Sequence, residues 1–286
     1  EVGMKPSKII FSGVGKDEDE IEYAISKEIQ QINIESIEEL DDLIKISNHL
    51  KKNINVAIRV NLDIEANTHE KISTGDETSK FGVSLAEIPK VYKIICNSNY
   101  LKPHGLAVHI GSQIFDMKLL KKTYHELKKL ASSLIKMGLK VNNLDLGGGF
   151  GVDYRKFKIQ NFKPIEEMLK KLFLGTNFNI CFEPGRSLVA DAGILVTKVI
   201  REKKTITKNF LIVDAGMNDF IRPTLYNTYH RIEPILKDIS RKQFFYDIVG
   251  PICETGDFFG LNQKIQKTSK NDFLAIMSTG AYGRVM

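Results

Sequence analysis

No uncharged stretch approaches the roughly 18 residues that a membrane-spanning helix needs, so the sequence predicts no membrane partner. The opening residues, Glu1-Val2-Gly3-Met4-Lys5, lack the basic and apolar parts of a secretory leader. Cysteine is scarce. Cys96, Cys181 and Cys253 form neither an even disulfide framework nor a metal-ligand spacing, which predicts a reducing, cytoplasmic location and no metal site. Lys and Arg (41) outnumber Asp and Glu (35) for a net charge of +6, yet the lysines are scattered and no basic stripe carries interleaved aromatics. That pattern argues against a nucleic-acid partner. Gly13-Val14-Gly15-Lys16 is too short for a phosphate-binding P-loop and reads as a turn.

What is present describes a soluble globular protein. The 286 residues, 42% hydrophobic and 27% charged, suffice for two domains or for one with a large insert. Short apolar strands are expected at 8–11, 32–35, 56–62, 105–112, 141–146 and 178–182. Between them lie helical patterns at 17–29, 36–52, 86–97, 116–137 and 164–173. Ser36 with Glu39 makes a capping box, and Gly138 closes the fourth helix. A polar loop from Asp63 to Gly82 is long enough to suggest function.

This alternation requires a parallel sheet, and polar or glycine-rich residues follow each strand, where an α/β barrel carries its active site. Six strands do not close a TIM-like barrel, so the first two βα units are expected upstream of Glu1. After Ser187 the pattern turns β-rich, at 193–201, 209–213, 244–249 and 273–277. The sequence thus predicts an incomplete barrel domain over 1–191 and a mostly β domain over 192–286, with the chain continuing past Met286.

Several strand ends hold chemistry-bearing residues. Ile180-Cys181-Phe182-Glu183-Pro184-Gly185-Arg186-Ser187 is an apolar strand that stops at a carboxylate, a rigid turn and a guanidinium. It suits an anion and a heterocycle, or simply a salt-bridged turn. His109, with Gly111 and Ser112 beyond it, could stack on a flat ring beside a phosphate, or be a satisfied core histidine. Gly147-Gly148-Gly149 leaves the backbone open to a phosphate or forms a flexible turn with Asp145. In the β domain, Arg222 and Tyr226 could clamp a carboxylate. Cys253 beside Glu254 could donate a proton next to an ammonium site, or be a small hydrophobe. Tyr282 stands between Ala281 and Gly283 as a ligand contact or a turn residue.

Taken together and in order, these motifs, with His69 to Gly75 and Lys80-Phe81-Gly82 in the long loop, resemble the pyridoxal-phosphate-dependent diaminopimelate decarboxylases of the alanine-racemase-like fold. The resemblance implies conversion of meso-diaminopimelate to L-lysine and carbon dioxide. It implies that His109 stacks on the pyridine ring, that Ser112, Gly147 to Gly149, Pro184, Gly185 and Arg186 hold the cofactor phosphate, and that Glu183 pairs with the ring nitrogen. Arg186, Arg222, Tyr226 and Glu254 would bind substrate, Cys253 would return a proton, and Tyr282 would touch both cofactor and substrate. A homodimer with shared sites is implied as well.

Members of the family hold the cofactor through a lysine in a Tyr-x-x-Lys-Ala-Asn-like run, which this sequence does not contain, and Lys80 is no substitute for it. Decarboxylation of another basic amino acid, or cofactor binding without chemistry, are the alternative readings. A racemase on the same barrel is a third, but it would want a tyrosine base and a different second-domain motif.

Overall fold

The computed structural model describes residues 2–64, 80–156 and 161–286. His69, Ser73, Thr74 and Gly75 of the long loop lie outside them. Two compact units emerge, one of Glu1–Gly149 with Asn161–Pro184, the other of Phe150–Gln160 with Gly185–Met286.

The first unit alternates strand and helix. Its strands are β1 (Ile10–Phe11), β2 (Gln31–Ile34), β3 (Ile54–Asn61), β4 (Val83–Ser84), β5 (Leu101–Ala107), β6 (Asn143–Asp145) and β7 (Asn179–Cys181). Its helices are α1 (Glu18–Ser26), α2 (Ile37–Leu50), α3 (Ile88–Asn97), α4 (Met117–Lys136) and α5 (Lys163–Phe173). Local chemistry sets their ends. Asp17 and Glu20 form a reciprocal capping box at α1, and the Ser36 hydroxyl accepts from the Glu39 amide at α2. Leu120, Tyr124, Leu127, Ala131 and Leu134 recur at helical spacing on α4 and are buried, while its lysines other than Lys128 are exposed.

The strands run in the order β1-β2-β3-β5-β6-β7, with β4 on β3, and every pairing is parallel. This is the incomplete barrel that the sequence predicted. Register matters most at its carboxyl end. Arg59, Ala107, Asp145 and Cys181 pair across β3, β5, β6 and β7 in one row. His109, Gly147 and Glu183 each lie two residues past that row, so the three chain segments leave the sheet at the same level.

The second unit is built on a six-stranded sheet in the order β10-β13-β8-β9-β11-β12. Its strands are β8 (Leu195–Lys204), β9 (Asn209–Val213), β10 (Ile232–Pro234), β11 (Gln243–Val249), β12 (Phe258–Gln266) and β13 (Phe273–Ile276). Two short helices, α6 (Arg186–Val189) and α7 (Arg222–Tyr226), accompany them. Val199, Leu211, Phe220, Tyr246, Phe259 and Ile276 form its core. All pairings are antiparallel except β9 with β11.

β12 has no counterpart in the sequence reading. Its register on β11 shifts twice near Gly260, and its burial changes face along the strand, so no clean alternation betrays it. The boundary expected at 192 is displaced: the second unit begins at Gly185 and also takes in Phe150–Gln160, and Arg186 bonds to Tyr154 and to the Ala281 carbonyl of that same unit. Among the described residues, no helix is long and apolar enough to cross a membrane.

Candidate active site

At the carboxyl end of the parallel sheet, three turns pack backbone to backbone. The Glu183 amide donates to the Gly147 carbonyl at 2.8 Å, and the Ile114 amide donates to the Gly149 carbonyl at 2.8 Å. A Cβ on Gly148 would collide with the Glu183 carbonyl, and one on Gly149 with the Gly111 carbonyl. Gly147 and Gly149 also hold positive φ, 66° and 82°. The glycines therefore let the His109, Gly147–Gly149 and Glu183 turns meet. The Gly148 amide donates to His109 Nδ1 at 3.2 Å, which leaves the His109 proton on Nε2. Burial, helped by the Arg59 charge, pulls the His109 pKa down to about 4, so the ring is neutral at pH 7.

Beneath these turns the barrel interior is polar. Gln31, Asn33 and Glu35 project from one face of β2 and are all buried. Asn33 Nδ2 donates to Ser12 Oγ at 2.8 Å and to Asp145 Oδ2 at 3.2 Å. Ser12 Oγ in turn donates to Glu183 Oε1 at 2.6 Å. Glu35 and Arg59 make a buried ion pair at 2.8 Å, and Glu35 also accepts from the Gly82 amide at 3.1 Å. The Arg59 guanidinium lies 4.6 Å from the centre of the Phe81 ring and donates to the His109 carbonyl at 3.3 Å.

Burial raises the pKa of Glu183 and the Asp145 charge adds to it, while the Ser12 hydrogen bond and Arg59 oppose the rise. Asp145 is likewise raised by burial, against its bonds from the Gly147 amide and Asn33. Cys181, at the end of β7, is pushed up to about 12 by burial and the nearby Asp145 and Glu183 charges, which makes it an inert thiol.

The second unit holds its own cluster. Arg186 and Arg222 are 4% and 2% exposed. The Tyr154 hydroxyl accepts from Arg186 Nη1 at 2.7 Å, and its ring centre lies 5.1 Å from the Arg222 guanidinium. Tyr226 flanks Arg222 at 5.5 Å, and Tyr282 flanks Arg186 at 4.9 Å. Burial and the Arg186 charge lower the Arg222 pKa, and the Tyr154 oxygen opposes this.

Asp257 ties two loops together, accepting from the Met217 amide at 2.7 Å and the Ile252 amide at 2.8 Å. Thr224 of α7 donates to the Gly256 carbonyl at 2.6 Å. The segments 214–219, 222–226 and 253–257 are thus tied together, with Cys253 and Glu254 exposed. Asp214 accepts from the Thr197 hydroxyl and the Lys198 amide, and Asp219 accepts from the Gly216 amide.

A family model described as the pyridoxal binding domain of pyridoxal-dependent decarboxylases matches residues 1–190. The chain belongs to that family, on its diaminopimelate decarboxylase branch. Curated diaminopimelate decarboxylases of Zymomonas mobilis and Aquifex aeolicus are each 42% identical to it. These alignments span 99% and 100% of this chain and 68% of each relative. A crystal structure of diaminopimelate decarboxylase from Helicobacter pylori complexed with L-lysine superposes with a TM-score of 0.93 at 39% identity. It covers 99% of this chain and 71% of that one.

The residues present fit the cofactor such a decarboxylase requires. Glu183, whose Oε1 accepts from Ser12, offers a carboxylate suited to a ring nitrogen, and the neutral flat imidazole of His109, held by the Gly148 amide, adjoins it on the glycine turn. His109, Gly147 to Gly149 and Glu183 are brought together as the motifs implied. Ser12, Asn33, Arg59, Glu35 and Tyr154, which build these hydrogen-bond networks, escaped the sequence reading. The alternation of Gln31, Asn33 and Glu35 with Ile32 and Ile34 was the legible signal, because polar residues on one face of a buried strand need a polar interior. Tyr154 gave no such signal.

Proposed function

We propose that the chain decarboxylates meso-2,6-diaminopimelate to L-lysine and carbon dioxide, the last step of lysine biosynthesis, with pyridoxal 5'-phosphate as cofactor. The cofactor supplies an electron-poor ring that takes up the electron pair left when carbon dioxide departs. The rest falls to this chain's own side chains. In the first unit, Glu183 faces the ring nitrogen and keeps it protonated, His109 lies on the ring face, and Ser112 with the Gly149 amide holds phosphate oxygens, while the Gly148 amide, expected from the motif to join them, is engaged by His109 Nδ1. In the second unit, Pro184's neighbours Gly185 and Arg186 serve the phosphate and the substrate, Arg222 and Tyr226 take a carboxylate, and Tyr282 contacts both ligands. Glu254 binds an ammonium group. Cys253 delivers the proton that replaces carbon dioxide on the substrate carbon.

By the same resemblance the working form is a homodimer in which Cys253 and Glu254 serve the partner's site, in keeping with their exposure on the single chain.

The observation that carries the substrate is the burial of Arg222 between two tyrosine rings. Diaminopimelate has a carboxylate at its far end, which needs a fixed cation. Ornithine, whose far end is itself cationic, gains nothing from an arginine there, and two buried like charges repel by several kcal/mol. Incubating the full-length protein and pyridoxal phosphate with each amino acid tests this. Lysine and carbon dioxide from diaminopimelate, with no diamine from ornithine, are expected. Equal turnover of ornithine would overturn the assignment.

A further inference from the structure

Ser12 has a single proton to give, and its surroundings decide where that proton points. Asn33 controls the choice. Its side-chain oxygen accepts from Gln31 Nε2 at 2.5 Å, so its amino group is the part that faces Asp145 and Ser12. Asp145 confirms that orientation: Oδ1 accepts from the Gly147 amide at 2.9 Å and Oδ2 from Asn33 at 3.2 Å, and a carboxylate cannot face an amide oxygen. With Asn33 donating into the Ser12 oxygen, the Ser12 proton is left for Glu183 Oε1 at 2.6 Å.

We propose that Ser12 and Asn33 are positioning residues for Glu183, holding its Oε1 as an acceptor so that Oε2 is presented as an acceptor to the protonated ring nitrogen of the cofactor. The inference rests on the cofactor reading above and deepens it. It assigns to two neutral side chains at the start of the parallel sheet a part in setting the charge of a carboxylate at its other edge, β7.

The need for such a device is visible in the surroundings. Burial, Asp145 and Glu35 all push Glu183 toward its protonated form, and only Ser12 and Arg59 push back. A protonated Glu183 with Ser12 on Oε1 would carry its proton on Oε2, turning a donor toward a ring nitrogen that is itself a donor. The hydroxyl is therefore not interchangeable with a methyl group of the same volume. A hydrogen bond to a charged group contributes enough that its loss is worth about tenfold to a hundredfold in an equilibrium.

The test compares two probes on the full-length protein: pyridoxal 5'-phosphate and 1-deazapyridoxal 5'-phosphate, in which a carbon replaces the ring nitrogen. The unsubstituted protein should bind the first more tightly. Ser12→Ala should weaken pyridoxal phosphate by about tenfold to a hundredfold and leave the deaza compound within about twofold, erasing the preference. Asn33→Leu should do the same, and the double variant should lose no more than either alone, because Asn33 acts through Ser12. Equal weakening of both probes would reduce the pair to a structural role and overturn the inference. So would a preference that survives Ser12→Ala. An unsubstituted protein that shows no preference would instead bring down the pairing of Glu183 with the ring nitrogen, and this inference with it. Should Asn33→Leu fail to fold, Ser12→Ala decides alone.

Discussion

His230 is fully buried between the Tyr154 and Phe220 rings, whose centres lie 4.5 and 4.7 Å from its own. Its Nδ1 donates to the Met277 carbonyl at 2.9 Å, and its Nε2 has no hydrogen-bond partner among the described residues. Burial first, and then the Arg222 and Arg186 charges, pull its pKa down from 6.5 to about 4, against the pull of the Met277 carbonyl. The folded chain keeps this ring neutral where the unfolded chain would already protonate it. The unfolded state therefore binds more protons below about pH 6.5, and stability is lost as the pH falls toward 4. His109 is depressed to about 4 as well and acts in the same window.

For His230 the effect is on the order of 3 kcal/mol. The melting temperature should drop across that window, and His230→Phe should make that drop measurably shallower, with His109 and the partly buried His104 carrying the rest. A variant whose slope matches the parent would assign the acid lability elsewhere. Arg222 answers a functional question at the same scale. Arg222→Ala should lower kcat/KM for diaminopimelate by roughly a hundredfold or more, since it would delete the buried charge proposed to meet the substrate's far carboxylate. Arg222→Lys should restore little of it, because an ammonium does not reproduce the planar fork. Activity within a few-fold of the parent for Arg222→Ala would remove the reason for choosing a dicarboxylic substrate.

Two glycines that look alike in sequence do different work in their elements. Gly138 follows α4 at φ 80°, with nothing within 4 Å of where a Cβ would stand. Gly138→Ala should lose about 1 kcal/mol from the left-handed backbone alone. Gly148 has an ordinary φ, but a Cβ there meets the Glu183 carbonyl and the Pro184 Cα. Gly148→Ala should push the turn after β6 away from the turn after β7, cost about 1–3 kcal/mol, and weaken pyridoxal phosphate at least tenfold. Urea unfolding and cofactor titration on the two variants separate the mechanisms: the first changes stability only, the second both. Cofactor binding unaffected by Gly148→Ala would mean that the two turns need not touch.

The same contrast shows what the sequence made legible. The βα alternation and the glycine-rich strand ends could be read because periodicity and backbone demands are local. Ser12, Asn33 and Asp145 converge from β1, β2 and β6, and only the register of a parallel sheet makes them neighbours of Glu183. β12 was missed for a related reason, since its bulged pairing hides the period on which a strand assignment depends.

At the scale of the whole molecule, the question is whether one chain suffices. Cys253 and Glu254 are exposed on a loop that Asp257 and Thr224 hold rigidly, and a proton donor left in water is poorly placed to return a proton to a substrate carbon. A second copy that receives this loop in its own site would exclude that water. Shared sites make a quantitative demand. Chains inactivated by Glu183→Ala and chains inactivated by Cys253→Ala are each dead as homodimers, but in a hybrid dimer both lesions fall in one site and leave the other intact. Random mixing makes half of the dimers hybrids, each with one working site of two, so activity should recover to about a quarter of the parent's. Sedimentation of the mixture checks that dimers form. Dimers that assemble and mix without regaining activity would show that each chain completes its own site, and Cys253 would then have to act from within the chain that carries Glu183.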